Sequence, residues 1–307
     1  MSSRRGFLKH SGTIALGSLA LSRGGLSSLM AAGNHPIGLQ LFTLFNVIDT
    51  DTPAVLKRVA SIGYREIESA FSHKPAYYGY GPREFAAVAR DAGLHWISHH
   101  VAGAPFKRPA GAKPRLGPDG KPIHFPAQKN LRDNAQEVID EAAEGGLSYL
   151  VCASTPVSTL DEIHQSCQTL NQAAALAKKA GITMCYHNHD MEFHPVEGQL
   201  PYDLLLKNTD PSLLKMELDL AWATKGGADP VKLFRENPGR FPLWHVKDIS
   251  ADFKTLEPAG QGIVNFKRIF AQASTAGMKH FFVEHDMPAD PFASITISYQ
   301  YLRSISV

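Results

Sequence analysis

Four apolar segments in the second half of this chain each run straight into residues that ligate metals. Tyr186 leads into His187-Asn188-His189-Asp190-Met191-Glu192, and Leu218 leads into Asp219. Trp244 leads into His245-Val246-Lys247-Asp248, and Val283 into Glu284-His285-Asp286. Ending hydrophobic strands in unpaired carboxylates and imidazoles costs several kcal/mol when those groups are buried. A bound divalent cation supplies the compensation. The clusters recur at intervals of roughly 30 residues, the length of one strand-helix-strand unit. The ligands therefore fall at successive strand ends of a βα-repeat protein.

The rest of the chain keeps the same rhythm. Short apolar runs at 37–42, 66–70, 96–101, 147–152, 182–187, 214–218, 241–246 and 280–284 read as strands. Amphipathic stretches at 52–60, 82–91, 130–144, 160–180, 202–207, 230–236, 265–276 and 291–302 read as helices. Pro53 sits early in the first helix, where its missing N–H does no harm. Ala92-Gly93, Ala180-Gly181 and Ala276-Gly277 end three helices with the residue that best takes a left-handed cap. Eight strands alternating with helices predict an α/β fold of the (β/α)8 TIM-barrel type, with its site at the C-terminal strand ends. An open doubly wound sheet is the competing architecture. No Gly-rich phosphate loop follows the first strand, which argues against nucleotide binding there.

Composition sets the outer limits. With 44% hydrophobic and 20% charged residues the chain is ordinary globular protein, so 34–307 suits one barrel domain. A formal charge of +2 gives no electrostatic footprint for nucleic acid. At the N-terminus, Ser3-Arg4-Arg5-Gly6-Phe7-Leu8-Lys9 resembles a twin-arginine export motif. A weakly hydrophobic stretch to about residue 32 follows, broken by Arg23, and makes a poor membrane span. Residues 1–33 are therefore read as a signal region, the mature protein as periplasmic, and no membrane contact is expected beyond that signal. Residues 103–129, rich in Pro, Gly, Lys and Arg, break the pattern as a long loop insertion. They read either as a lid over the site, as a solvated insertion, or as a contact with a second copy, which leaves a homo-oligomer open. Cys152, Cys167 and Cys185 form no metal-binding pair, and an odd count leaves at least one free. Cys152 and Cys185, in apolar strands, read as buried residues.

Taken in order, Gly63-Tyr64-Arg65-Glu66-Ile67-Glu68, Tyr186-His187-Asn188-His189-Asp190-Met191-Glu192-Phe193, Glu217-Leu218-Asp219, His245-Val246-Lys247-Asp248 and Val283-Glu284-His285-Asp286 resemble the xylose isomerase-like TIM-barrel superfamily. Within it they are similar to the branch called sugar phosphate isomerase/epimerase. Gly260-Gln261-Gly262 also matches a recurring stretch before the last helices. The resemblance implies one divalent ion held by a Glu, an Asp, a His and a second Glu. Here those are Glu192, Asp219, His245 and Glu284, with His187 or His189 as the alternative to Glu192. Three carboxylates and one imidazole favour Mn²⁺, Mg²⁺, Co²⁺ or Zn²⁺.

That donor set suits isomerisation or epimerisation of a small-molecule sugar or keto-sugar. A Lewis acid stabilises the enediolate left when a proton is removed beside a carbonyl. Glu192 and Glu284, the family's paired Glu, are the expected catalytic proton carriers. Lys247, which shares the inward parity of His245, reads as a substrate contact. Glu68, His100 and His187 read as substrate contacts or as structural partners. The same chemistry, with a leaving group next to the carbanion, gives a lyase, dehydratase or hydrolase acting on a 3-keto-glycoside or inosose. A non-catalytic sugar-binding protein and a nuclease on abasic DNA are weaker readings. The second would need a basic groove that this charge does not provide.

Overall fold

Eight parallel strands close into a barrel. The coordinates are a computed structural model that describes residues 35–106 and 126–306. The expected signal at 1–33 and positions 107–125 of the loop insertion lie outside the described residues. In chain order the strands are β1 (Gly38–Gln40), β2 (Glu66–Ser69), β3 (His95–Ala102), β4 (Tyr149–Ser154), β5 (Thr183–His187), β6 (Leu214–Asp219) and β7 (Leu243–Val246). A short antiparallel ribbon follows, β8 (Asp248–Ile249) with β9 (Leu256–Glu257), and then β10 (His280–Val283), the last strand of the barrel. Gly38 pairs with Glu66 on one side and Phe282 on the other, which closes the ring.

The outer layer is helical: α1 (Thr52–Ile62), α2 (Pro82–Asp91), α3 (Leu131–Glu144), α4 (Leu160–Lys179), α5 (Pro201–Asn208), α6 (Leu220–Lys225), α7 (Pro230–Glu236), α8 (Phe266–Phe270), α9 (Ala273–Ala276) and α10 (Pro291–Ser304). Local chemistry starts them. Asp51, Asn130, Thr159 and Asp290 each accept a hydrogen bond from a backbone N–H in the first turn. Gly181 and Gly277 then turn the chain with φ of +78°, a conformation costly for other residues. Among the described residues no helix is long and apolar enough to cross a membrane.

The barrel interior is layered, and the layering positions the site. At the bottom Val151, Cys185, Leu243 and Phe282 form an apolar plug, all buried. Side chains alternate faces with period two, so the next inward residue is polar on three of these strands, whereas β4 carries Ala153 there. Cys185 is thus followed by His187, and Leu243 by His245. Outward-facing Met184, Tyr186, Leu218, Trp244 and Phe281 pack under the helices in the main core. All three cysteines are buried and unbridged.

Some elements differ from expectation. The stretch read as one helix over 265–276 breaks into α8 and α9, because Gln272 leaves helical geometry at φ −105°, ψ 10°. The β8–β9 ribbon was not expected. It is organised by buried Asp248, whose carboxylate accepts from the backbone N–H groups of Gly260, Gly262 and Val264 at 2.9–3.0 Å. A Cβ on Gly262 would come within 2.3 Å of Asp248 Oδ1, so this loop can wrap its anchor only with glycine there.

Candidate active site

Asp219 shows how the strand ends present donors. It closes β6 and caps α6, accepting from Trp222 N at 2.8 Å through Oδ1. Asn188 fixes its backbone, with Oδ1 accepting from Asp219 N at 3.0 Å. Oδ2 is left buried without a hydrogen-bond partner. Lys247 Nζ approaches it at 3.3 Å, near enough for charge attraction but outside hydrogen-bond geometry.

Donor atoms of His187, Asp219, His245 and Glu284 all lie within 4.8 Å of one another, and all four residues are buried. His245 Nδ1 lies 2.7 Å from Glu284 Oε2. Lys247 Nζ lies 2.8 Å from Glu284 Oε2 and 2.9 Å from Asp286 Oδ1, with the Trp222 ring 5.1 Å away. Three carboxylates, Asp219, Glu284 and Asp286, thus share one ammonium group. Against burial, Glu217 and Glu284 hold His245 protonated, and even so negative charge is left over where the barrel opens. Burial pushes the Asp219 carboxyl up to about 6 despite Lys247 and His245. Burial, His245 and His100 together keep His187 well below the usual imidazole range, so its lone pair is free. Orphaned Asp219 Oδ2, neutral His187 and the surplus of negative charge fit a divalent cation held by these four residues.

Beneath this donor set lies a closed polar floor. Glu68 and Glu217 are fully buried. Glu68 Oε1 accepts from Gln40 Nε2 at 2.7 Å, and Oε2 accepts from Ser98 Oγ at 2.6 Å. His100 Nε2 bridges the two carboxylates, 3.0 Å from Glu68 and 2.8 Å from Glu217. His100, His187, Glu217 and His245 form a second convergent donor set that shares two residues with the first. Glu217 Oε2 already faces His100, His187 and His245 at 2.8–3.2 Å, while its Oε1, like Asp219 Oδ2, is buried without a hydrogen-bond partner.

A cavity of about 550 Å³ opens above, within the usual range for small-ligand sites. His100, His187, His189, Lys247, Glu284 and Asp286 line its polar end, while Phe42, Tyr77, Val101 and Val138 line the other.

The expected site residues take these places. Asp219, His245 and Glu284 come together with His187, which joins the donor set and is not only a cavity wall. Glu192 does not join it. It is 1% exposed and turned aside, accepting from Tyr186 Oη at 2.6 Å and from His189 N at 2.9 Å. The physical reason is the three-residue helical turn over Met191–Phe193, which points it back toward β5 and away from the barrel mouth. His189 lines the cavity but belongs to neither donor set. Lys247 and His100 face the cavity, whereas Glu68 lies below it in the floor and is not among the cavity residues. Asp286 and Glu217 were missed as site residues. Asp286 lies two positions from Glu284, so parity points to it. Glu217, whose inward parity with Asp219 reads from sequence as a Lys or Arg partner, instead faces His100, His187 and His245.

A barrel with this site at its C-terminal mouth defines a class, and sequence comparison agrees. The chain belongs to the xylose isomerase-like TIM barrel family, whose profile matches residues 56–305. Inosose dehydratase of Geobacillus thermodenitrificans is 25% identical over 235 residues, covering 68% of this chain and 74% of that protein. A sugar phosphate isomerase/epimerase structure from Parabacteroides distasonis is 31% identical, with a TM-score of 0.72 over 88% of this chain and 98% of that one. The IOLI protein, solved with a bound zinc atom, is 12% identical and shares the fold, with a TM-score of 0.60 over 89% of this chain and 98% of that one.

Proposed function

We propose that this chain is a divalent-metal-dependent isomerase or epimerase of a sugar or keto-sugar, working by proton removal beside a carbonyl. The observation that carries the reading is the convergence of His187, Asp219, His245 and Glu284 on one point at the cavity floor. Two imidazoles and two carboxylates suit Zn²⁺, Co²⁺ or Mn²⁺ better than Mg²⁺, which prefers oxygen ligands. When bound, such an ion supplies Lewis-acid stabilisation of developing negative charge on substrate oxygens.

The protein's own groups do the rest. Lys247 donates to a substrate hydroxyl or carbonyl oxygen from its place among Asp219, Glu284 and Asp286. Asp286 carries the proton. It lines the cavity outside the donor set, and burial holds its carboxyl above the ordinary range despite Lys247, which makes it a better base. Glu284, read from sequence as a second proton carrier, is held well below that range by Lys247 and His245 against the effect of burial. We assign it to ligation.

The curated relatives support a second reading. Four matching proteins are inosose dehydratases. With a leaving group next to the carbanion, the same proton removal ends in elimination. The substrate in either case is a small polyhydroxylated carbonyl compound. The twin-arginine-like Ser3–Lys9 run and the weakly hydrophobic stretch behind it support a periplasmic location as part of this proposal.

Elemental analysis of the purified chain beside Asp219→Ala tests the metal. One ion per chain, lost in the variant, is expected. Deuterium exchange from solvent into keto-sugars and keto-polyols then tests the chemistry. The parent should exchange the proton next to the carbonyl, and Asp286→Asn should lose about 10²-fold or more in rate while keeping its metal. A dehydrated product would select the lyase reading. No metal, even after reconstitution, would remove both readings.

A further inference from the structure

Each imidazole in the donor set has a rear nitrogen, and each rear nitrogen faces a buried carboxylate. His245 turns Nδ1 toward Glu284 at 2.7 Å and Nε2 toward Glu68 Oε1 at 2.6 Å. His187 turns Nδ1 toward Glu217 Oε2 at 3.2 Å, which leaves Nε2 as its other donor atom. A carboxylate oxygen only accepts, so the nitrogen facing it must carry the proton. His187 then keeps its lone pair on Nε2, whereas both nitrogens of His245 face carboxylates. Glu284 is itself a member of the donor set, so a bound ion would take the place of the Nδ1 proton between them while Glu68 holds the proton on Nε2.

The two carboxylates are themselves fixed. Gln40 and Ser98 hold Glu68 at 2.7 and 2.6 Å. His100 ties Glu68 to Glu217 and stacks on His245, with ring centroids 5.1 Å apart and planes 5° from parallel. None of Gln40, Glu68, Ser98 or Glu217 is among the cavity residues. Glu68 and Glu217 reach the donor set through His100, His187 and His245.

We propose that Glu68 and Glu217 are positioning residues that set opposite tautomers on the two imidazole ligands. His245 carries its proton on Nε2 and ligates through Nδ1. His187 carries its proton on Nδ1 and ligates through Nε2. This rests on the metal reading of the cavity floor. It assigns Glu68 of the Glu66-Ile67-Glu68 run to the metal's outer shell, where such partners commonly tune affinity.

The test uses the full chain loaded with Zn²⁺. Chelator competition measures affinity in the parent, Glu68→Gln and Glu217→Gln, elemental analysis gives stoichiometry, and long-range ¹⁵N spectra of labelled histidines read tautomers directly. Expected are one ion per chain, a loss of about 10–100-fold in affinity in each variant, and the Nε2–H form at His245 with the Nδ1–H form at His187. The reverse tautomer at either ring overturns the proposal. So does unchanged affinity in both folded variants. Two ions per chain, one of them lost in Glu217→Gln, would make the floor a ligand set and overturn it as well. A parent that binds while both variants bind equally well sinks this proposal alone, whereas a parent that binds nothing sinks the metal reading with it. If a variant fails to fold, the parent's spectra still decide.

Discussion

Glu192 is the residue where sequence and geometry part. As a carboxylate in a ligand-rich run it had the right chemistry, and only the helical turn of Met191–Phe193 takes it out of reach. What it does instead is satisfy two buried donors, Tyr186 Oη and His189 N. Burial raises its carboxyl above the ordinary value, opposed by those same hydrogen bonds. Glu192→Ala should therefore cost about 1–3 kcal/mol for each donor left unpaired, read by chemical unfolding of the metal-free chain. Its metal content should not change. Loss of metal from a folded Glu192→Ala would return Glu192 to the ligand set. The histidine that takes its place, His187, was legible as a candidate because it ends a strand. Choosing between it and Glu192 needed the turn, and no periodicity reports a turn of three residues.

At the scale of elements, alternation of strand and helix carried most of the fold. Period two within strands also carried the layering, since one inward Cys185 or Leu243 predicts an inward His187 or His245 above it. Helix caps such as Asp51 and Asn130 were readable as residue types. The β8–β9 ribbon was not, because its organiser is one buried side chain, Asp248, reaching backbone groups more than ten positions away. The closing seam of the barrel depends on an equally local feature. A Cβ on Gly38 would meet Phe282 Cδ1 at 2.5 Å and Phe281 O at 2.7 Å. Phe282 belongs to the apolar plug under His245, and the backbone carbonyl cannot swing aside as a flexible side chain would. Gly38→Ala should destabilise the chain by about 1–3 kcal/mol, the usual cost of overpacking. Equilibrium unfolding would show it, and a stability equal to the parent's would mean that the seam is looser than this register implies.

Across the whole molecule the polar floor couples stability to pH, and His100 sets the window. Burial alone would pull its imidazole down, but Glu68 and Glu217 outweigh burial and hold it at about 9, against an ordinary 6.5. The folded chain therefore binds this proton more tightly than the unfolded chain does. The stabilisation is fully present below the unfolded value of 6.5 and drains away as pH rises toward about 9. At 1.36 kcal/mol per pKa unit its ceiling is on the order of 3 kcal/mol. Asp219 acts in a lower window. Its carboxyl is raised from 3.8 to about 6, so its contribution is present below about 3.8 and lost as pH climbs to about 6. Burial opposes the proton on His245 too, but Glu217 and Glu284 hold this residue, which the floor shares with the donor set, well above the usual imidazole range. The fall above pH 6.5 thus belongs to His100 and His245 together. Unfolding of the chelated protein across that range should show stability dropping with pH in the parent, and a shallower slope in His100→Gln. Parallel slopes in the two would mean that His100 bridges Glu68 and Glu217 without a bound proton, and that the carboxylates are balanced by His245 alone.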